Sequence, residues 1–283
     1  METLSQEEIR AAVRLALAED IGSGDATTMA IVPPGVVARA SVRAREPLVV
    51  AGLAIAEAAF REVSPDLEIA MVSRDGQRVA AGDELLKISG PAAPILSAER
   101  VALNYLQRLS GIATLTAQFV HAVSGTGARI LDTRKTTPGL RRLEKYSVVC
   151  GGGTNHRFGL FDMIMLKDNH IDYCGGIARA LDRAYEYVKK YKPSLRIEIE
   201  ARTLDDVREV LKSGKADRIM LDNFGVSLLS EALQMIGKKI ETEASGGINL
   251  DNIREYAATG VDYISIGALI HQARSLDRSL KAV

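Results

Sequence analysis

The stretch "RIEIEARTLDDVREVLKSGKADRIMLDN" occupies residues 196–223. Its two ends, RIEIE at 196–200 and RIML at 218–221, are short apolar runs that read as strands. Between them, LDDVREVLKSG has helical periodicity. Strand, helix, strand in that order predicts a βαβ unit and a parallel sheet. The rhythm continues on both sides. IETEA at 240–244 and YISIGA at 263–268 follow at a spacing of about 22 residues, and ARILD at 128–132 and MIML at 163–166 come before. At least six such units, with SVVCGG as a candidate further strand, favour a closed or nearly closed α/β barrel. An open doubly wound sheet is the structural alternative.

The chain of 283 residues suits one large domain or two modest ones. Its 36 basic and 36 acidic residues balance, so it has no global attraction to nucleic acid or an anionic membrane. Aromatic residues are 5% and Trp is absent, which argues against base-stacking platforms. Anion binding must therefore be local. METLSQEEIRAA is charged and lacks an apolar core, so it is not expected to be a secretory signal. The charge-free run at 109–128 carries Ser, Thr, Gln, His and Gly and makes a poor membrane span. Cys150 and Cys174 suggest neither a disulfide framework nor a close metal-ligand pair. The expectation is a reduced, cytoplasmic protein.

The first 110 or so residues have a different texture. SQEEIRAAVRLALAED at 5–20 and LAIAEAAFREV read as helices, with IGSGDATTMAIVPPG as a connection after the first. VVARASVRARE at 36–46, LEIAMVS and the stretch DGQRVAAGDELLKISG read as strands. A long helix is expected after Pro94, with Ser97 as its N-cap and Arg100 in its first turn. This part reads as a mixed sheet with helices.

Chemistry concentrates where the barrel strands end. Thr133-Arg134-Lys135, Lys167-Asp168-Asn169, Glu200, Asp222-Asn223, Ser245-Gly246-Gly247 and Gly267-Ala268 follow successive runs. In a barrel these positions converge at the carboxyl face. The late glycines let backbone N–H groups approach an anion, with a helix expected from near Leu250, and both loops suit a phosphate. No nucleotide fingerprint competes. GGGTNHRFG at 151 has His156, and GSGDAT at 22 has Thr27, where the third glycine should stand. Arg134, Lys135, His156, Arg157 and Lys167 supply cations for carboxylate or phosphate. His121 and His271 sit in helical patterns and read as structural, while Arg141, Arg142 and Lys145 read as solvated or supporting charges. Glu200 and Asp222 suit Mg²⁺ or ribose hydroxyls, and Glu198 faces the same side as Glu200. The set fits an anionic ring meeting a phosphorylated sugar.

EDIGSGDATT, ERVALNYLQRLSGIAT, LDTRKTTPGLR, EKYSVVCGGGTNHRFGL, IMLKDNHI, IEIEA, IMLDNF, EASGGIN and YISIGAL extend over most of the chain. With these motifs the sequence resembles the quinolinate phosphoribosyltransferases, the carboxylating nicotinate-nucleotide pyrophosphorylases. The resemblance implies an N-terminal α+β open-faced sandwich at 1–112, an irregular seven-stranded α/β barrel at 113–270 and a C-terminal helix at 271–283. It implies phosphoribosyl transfer from 5-phosphoribosyl 1-pyrophosphate to quinolinate with loss of CO₂. By the same likeness, a homodimer shares its active sites, Arg100 reaching the partner's site, with further assembly left open. Arg134, His156, Arg157 and Lys167 would hold the two carboxylates, with Thr133 beside them. Lys135, Glu200 and Asp222 would serve the donor and its Mg²⁺, and Ser245, Gly246, Gly247, Ile266, Gly267 and Ala268 the 5-phosphate. Neither nucleic acid nor membrane is an expected partner.

Two other readings survive on the sequence. A barrel lyase or aldolase would use Lys167 as a Schiff-base nucleophile. A related barrel that binds anions without turnover is the second.

Overall fold

The structure, a computed structural model, describes residues 4–282; the first three residues of the amino-terminal stretch and Val283 of the expected C-terminal helix lie outside the described residues. In chain order the elements begin α1 (Gln6–Ile21), α2 (Ala26–Ile31), β1 (Val37–Ala44), β2 (Leu48–Val49), α3 (Leu53–Val63), β3 (Glu68–Met71), β4 (Arg78–Val79), β5 (Glu84–Pro91) and α4 (Ala92–Ala122). Then come β6 (Arg129–Leu131), α5 (Arg141–Cys150), β7 (Ile164–Leu166), α6 (Asp168–Cys174), α7 (Ile177–Tyr191), β8 (Ile197–Ala201), α8 (Leu204–Ser213), β9 (Arg218–Asp222) and α9 (Val226–Ile236). β10 (Glu241–Ser245), α10 (Ile253–Ala258), β11 (Tyr263–Ser265), α11 (Ala268–His271) and β12 (Arg278–Ala282) complete the order. The chain forms two compact units, one from residues 1–117, 136–152 and 269–283, the other from 118–135 and 153–268.

The first unit is built on an antiparallel sheet in the order β12-β1-β5-β3, with β2 and β4 as a separate short pair. A Ser5/Glu8 capping box starts α1, which buries Ile9, Val13 and Leu17 at four-residue spacing. Phe60, Val42, Leu86, Leu106 and Leu109 belong to one apolar core with them. Four expectations change here. The connection after α1 contains a short helix, α2, because the Asp25 side chain accepts from the Thr28 N–H and caps it. α4 starts at Ala92, with Pro94 in its first turn where a missing N–H costs nothing. Ser97 lies inside that helix and donates to Asp25 instead of capping it. SVVCGG is the end of helix α5, since Leu143, Ser147 and Cys150 are buried on one face, and packing overrides the strand preference of the two valines. The C-terminal segment is no helix beyond His271. Residues 278–282 form β12 and pair with β1 from Ala44↔Arg278 to Ala40↔Ala282, covering an edge that would otherwise be open. Lys145 also differs from a solvated charge, being buried in α5.

The second unit carries a parallel sheet in the order β6-β11-β10-β9-β8-β7. Its first strand, β6, pairs with its last, β11. That adjacency is the mark of a barrel and excludes the doubly wound alternative, whose strand order reverses at a switch point. On the other side of β6, Thr154 makes a parallel bridge to Leu131 and supplies the seventh position. The Thr154 N–H donates to Ile130 O at 2.8 Å, and Asp132 N–H donates to Thr154 O at 3.2 Å. One bridge in place of a full strand is what makes the barrel irregular.

Candidate active site

Parallel strands carry their following residues to one end. Thr133, Arg134 and Lys135 follow β6, and Lys167 follows β7. Glu200 is the penultimate residue of β8, Asp222 ends β9, Ser245 ends β10, and Ile266 follows β11. His156 and Arg157 lie just past Thr154, at the same end. All of these belong to the second unit, whereas Arg100 is exposed on α4 in the first.

The strands that deliver these groups have a charged interior. Ile197, Ile199, Ile219 and Leu221 share one face of β8 and β9, and Glu198, Glu200, Arg218, Met220 and Asp222 alternate with them. Register sets Arg218 opposite Glu198 on one side and Glu241 on the other. Arg218 Nη2 lies 3.0 Å from Glu241 Oε2, and its Nη1 lies 3.4 Å from Glu243 Oε2 and 3.9 Å from Glu198 Oε2. The same guanidinium sits 4.2 Å from the centre of the Tyr263 ring, with Arg129 also over that ring at 4.5 Å. Above this layer, His156 Nε2 is 3.0 Å from Glu198 Oε2 and 3.3 Å from Glu243 Oε2.

The protonation of this cluster follows from its partners. Burial opposes charge on His156, and the two carboxylates outweigh it, pulling the imidazolium up to about 9. The Arg157 N–H opposes that second proton: it points at Nδ1 from 2.7 Å, which makes Nδ1 the acceptor and leaves the ring proton on Nε2. Burial and the Glu243 charge raise Glu198, which suits it to carry the proton of the carboxylate pair. His156, Glu198 and Glu243 bring ligand atoms within 4.8 Å of one another, as a metal site would, but Arg218 already provides their cation.

At the mouth, Arg157 is buried and its Nη1 donates to Met163 O at 3.2 Å. Its pKa is lowered by burial and by the charge of Arg134. The charge of Arg134 is thus felt at a partly desolvated Arg157. Lys167 Nζ lies 3.2 Å from Glu200 Oε2, joining the groups assigned to different substrates. The Thr133 hydroxyl accepts from the Lys135 N–H at 3.0 Å, and the Lys135 side chain is exposed.

On the other flank, Asp222 Oδ2 accepts from Asn223 Nδ2 at 2.7 Å, and the Asn223 N–H donates to Ser245 O at 2.8 Å. Asn223 has φ +56°, a left-handed conformation that asparagine tolerates. A Cβ on Gly246, at φ +99°, would fall 2.2 Å from Asn223 Oδ1, so glycine is required there. The helix after this loop starts at Ile253, not near Leu250, because Asn249 and Asn252 close a turn first. Ile266 is buried and its N–H donates to Leu131 O, so it has no donor left for a phosphate; Gly267 and Ala268 are partly open.

Sequence reasoning gave no role to Asp132, Asn155, Asn223 or Glu243. Asp132 accepts from Asn155 Nδ2 at 2.6 Å and from the His156 N–H at 2.8 Å. A signal for Glu243 did exist: IETEA repeats the alternating acids of IEIEA.

Two family descriptions match the chain: the quinolinate phosphoribosyl transferase N-terminal domain over residues 25–110 and its C-terminal domain over 112–281. The chain belongs to the quinolinate phosphoribosyltransferase family. An Arabidopsis thaliana relative, "Nicotinate-nucleotide pyrophosphorylase [carboxylating], chloroplastic", is 45% identical over 97% of this chain and 82% of its own. A Bacillus subtilis relative, "Probable nicotinate-nucleotide pyrophosphorylase [carboxylating]", is 43% identical over 93% of this chain and 89% of its own. The solved structure of NadC from Streptococcus pyogenes has a TM-score of 0.95 and 38% identity, with all of both chains covered. That likeness agrees with the sandwich and the barrel of this family. Among the described residues no helix is long and apolar enough to cross a membrane.

Proposed function

We propose that this chain transfers the phosphoribosyl group of 5-phosphoribosyl 1-pyrophosphate to quinolinate. The products are nicotinate mononucleotide, pyrophosphate and CO₂, a step of de novo NAD biosynthesis. The observation that carries the reading is the gathering of Arg134, Arg157 and Lys167 at one end of the parallel strands, after β6, Thr154 and β7. Like charges held together in a partly dry site call for a polyanion, and a planar dicarboxylate matches two guanidinium forks. Lys167 completes the cationic wall.

Lys135 meets the donor from the exposed side. The main chain at Ser245, Gly246 and Gly247, and at Gly267 and Ala268, takes the 5-phosphate through N–H groups. Glu200 and Asp222 offer hard carboxylate oxygens at neighbouring strand ends, a donor set that fits Mg²⁺ held largely through water. When bound, Mg²⁺ would offset the charge of the departing pyrophosphate. The same carboxylates stabilise positive charge developing at the anomeric carbon. The pyridine nitrogen, oriented by the gripped carboxylates, attacks that carbon. The resulting pyridinium stabilises the carbanion left on the ring carbon when the adjacent carboxylate departs as CO₂, and a proton from solvent takes the carboxylate's place there. Lys167 works here as an ammonium paired with Glu200, which makes it a poor nucleophile and disfavours the lyase reading.

The family likeness supports a homodimer in which Arg100, exposed on α4, serves the partner's site. Cys150 and Cys174 are both free, which supports a reducing, cytoplasmic setting. Incubation with quinolinate, the donor and Mg²⁺ should yield nicotinate mononucleotide and CO₂ in equal amounts. No product at saturation would end this reading. Arg134→Ala or Lys167→Ala should lose roughly 10²–10³ in kcat/KM with the fold retained by circular dichroism. Mixed Arg100→Ala and Arg134→Ala chains should regain part of the activity if sites are shared.

A further inference from the structure

Residues 155–157 form no regular element, yet they hold Arg157 at the barrel mouth. Side chains do the anchoring. Asp132 takes the Asn155 amide and the His156 N–H. The next main-chain donor, the Arg157 N–H, goes to His156 Nδ1 at 2.7 Å. The imidazole is therefore the link that sets the direction in which Arg157 leaves the chain. Its own orientation is set from below. Nε2 lies against Glu198 from β8 and Glu243 from β10, on either side of β9. Two carboxylates from different strands within ion-pair distance of that nitrogen restrict the tilt of the ring more than one would. Both carboxylates are fully buried and neither is at the mouth, so they do not reach a ligand there.

We propose that Glu198 and Glu243 are positioning residues for the dicarboxylate grip, acting through the His156 ring on the main chain of Arg157. This rests on the reading that Arg157 binds a substrate carboxylate. It assigns a function to acids that lie outside the reacting groups, and it treats His156 as a brace as well as a member of the pocket. A one-methylene change in the barrel interior then shifts affinity for the pyridine substrate and not for the phosphoribosyl donor, whose groups sit on Asp222 and the Ser245 loop.

Steady-state kinetics on four variants of the full chain test this. Glu243→Gln keeps an oxygen acceptor for Nε2–H, and His156→Asn keeps an oxygen where Nδ1 stood. Glu243→Asp keeps the charge but draws it back, and His156→Leu removes both contacts. We expect Glu243→Asp and His156→Leu to raise KM for quinolinate about tenfold, the loss of about one buried hydrogen bond, with KM for the donor unchanged. Glu243→Gln should recover most of that loss, whereas His156→Asn keeps an acceptor for the Arg157 N–H but reaches neither acid and should match Glu243→Asp. Adding Glu243→Asp to Arg157→Leu should cost nothing further, since the brace acts only through Arg157. Three outcomes would overturn the proposal: His156→Asn as active as the wild-type chain, which would show that the acids do not act through the ring; both KM values rising together with a fall in Tm, which would make the acids merely structural; or no change in Glu243→Asp. If His156→Leu does not fold, Glu243→Asp against Glu243→Gln decides alone. Turnover by the wild-type chain is the control, because its absence would refute the activity and not the brace.

Discussion

The two units are filled in different proportions, although the first also buries the Arg108–Glu144 ion pair. The first is held by an apolar cluster in which Phe60, Leu86, Leu106 and Val42 are fully buried. The barrel is lined on its inner side by Glu198, Arg218, Met220, Glu243 and Tyr263, with Ile197, Ile199, Ile219 and Leu221 on the other face of their strands. An apolar core is non-directional and tolerates repacking. A buried charge column specifies positions, because each member must find its partner or cost several kcal/mol. The contrast shows where precision is needed: the first unit only has to be stable, whereas the barrel must aim cations and acids at its mouth.

The largest effect expected is in the apolar unit. Phe60→Ala should cost about 3–5 kcal/mol in urea unfolding, with both KM values of the surviving enzyme unchanged. A shift in KM would show that this core does more than stabilise. Arg218→Met should cost a similar ~3–5 kcal/mol by leaving Glu198 and Glu243 without their cation, and a second change, Glu198→Leu, should restore part of it. A neutral Arg218→Met would break the contrast outright. Smaller is Asn223→Ala, about 1–2 kcal/mol for a left-handed residue deprived of its local bonds. Asn223→Gly should regain that stability but not donor affinity, since the amide on Asp222 is lost in both. The smallest concerns Asp262, at the opposite end of β11 from the site. Burial raises its pKa, but the Thr242 hydroxyl and N–H and Lys238 lower it on balance. A carboxylate depressed in the folded state adds stability above its unfolded pKa and loses it as pH falls through the folded value. Asp262→Asn should therefore flatten the acid limb of a thermal-stability profile without moving its neutral plateau into a new slope.

Much of the barrel is legible in the chain. RIEIE, RIML, IETEA and YIS announce strands because period-2 alternation and regular spacing are local properties. The same spacing assigns Arg134, Lys167, Glu200 and Asp222 to strand ends from residue order alone. Less legible are elements whose state depends on a remote partner. Residues 278–282 become a strand only because β1 offers an edge, and SVVC is helical only because one face of α5 meets the first unit's core. Ile266 looks available for a phosphate in the sequence, but its N–H goes to Leu131, on a strand from the other end of the barrel's sequence.

By itself, the sequence determined the βαβ rhythm, the family and the charge types gathered at the mouth, since these are carried by residue identity and spacing. Only the tertiary structure decided that β6 meets β11 to close the barrel, that Thr154 stands in for a strand, and that Glu198 and Glu243 converge on one imidazole. The physical reason is that closure and charge pairing join residues far apart in the chain, and no local pattern records which distant partner each will meet.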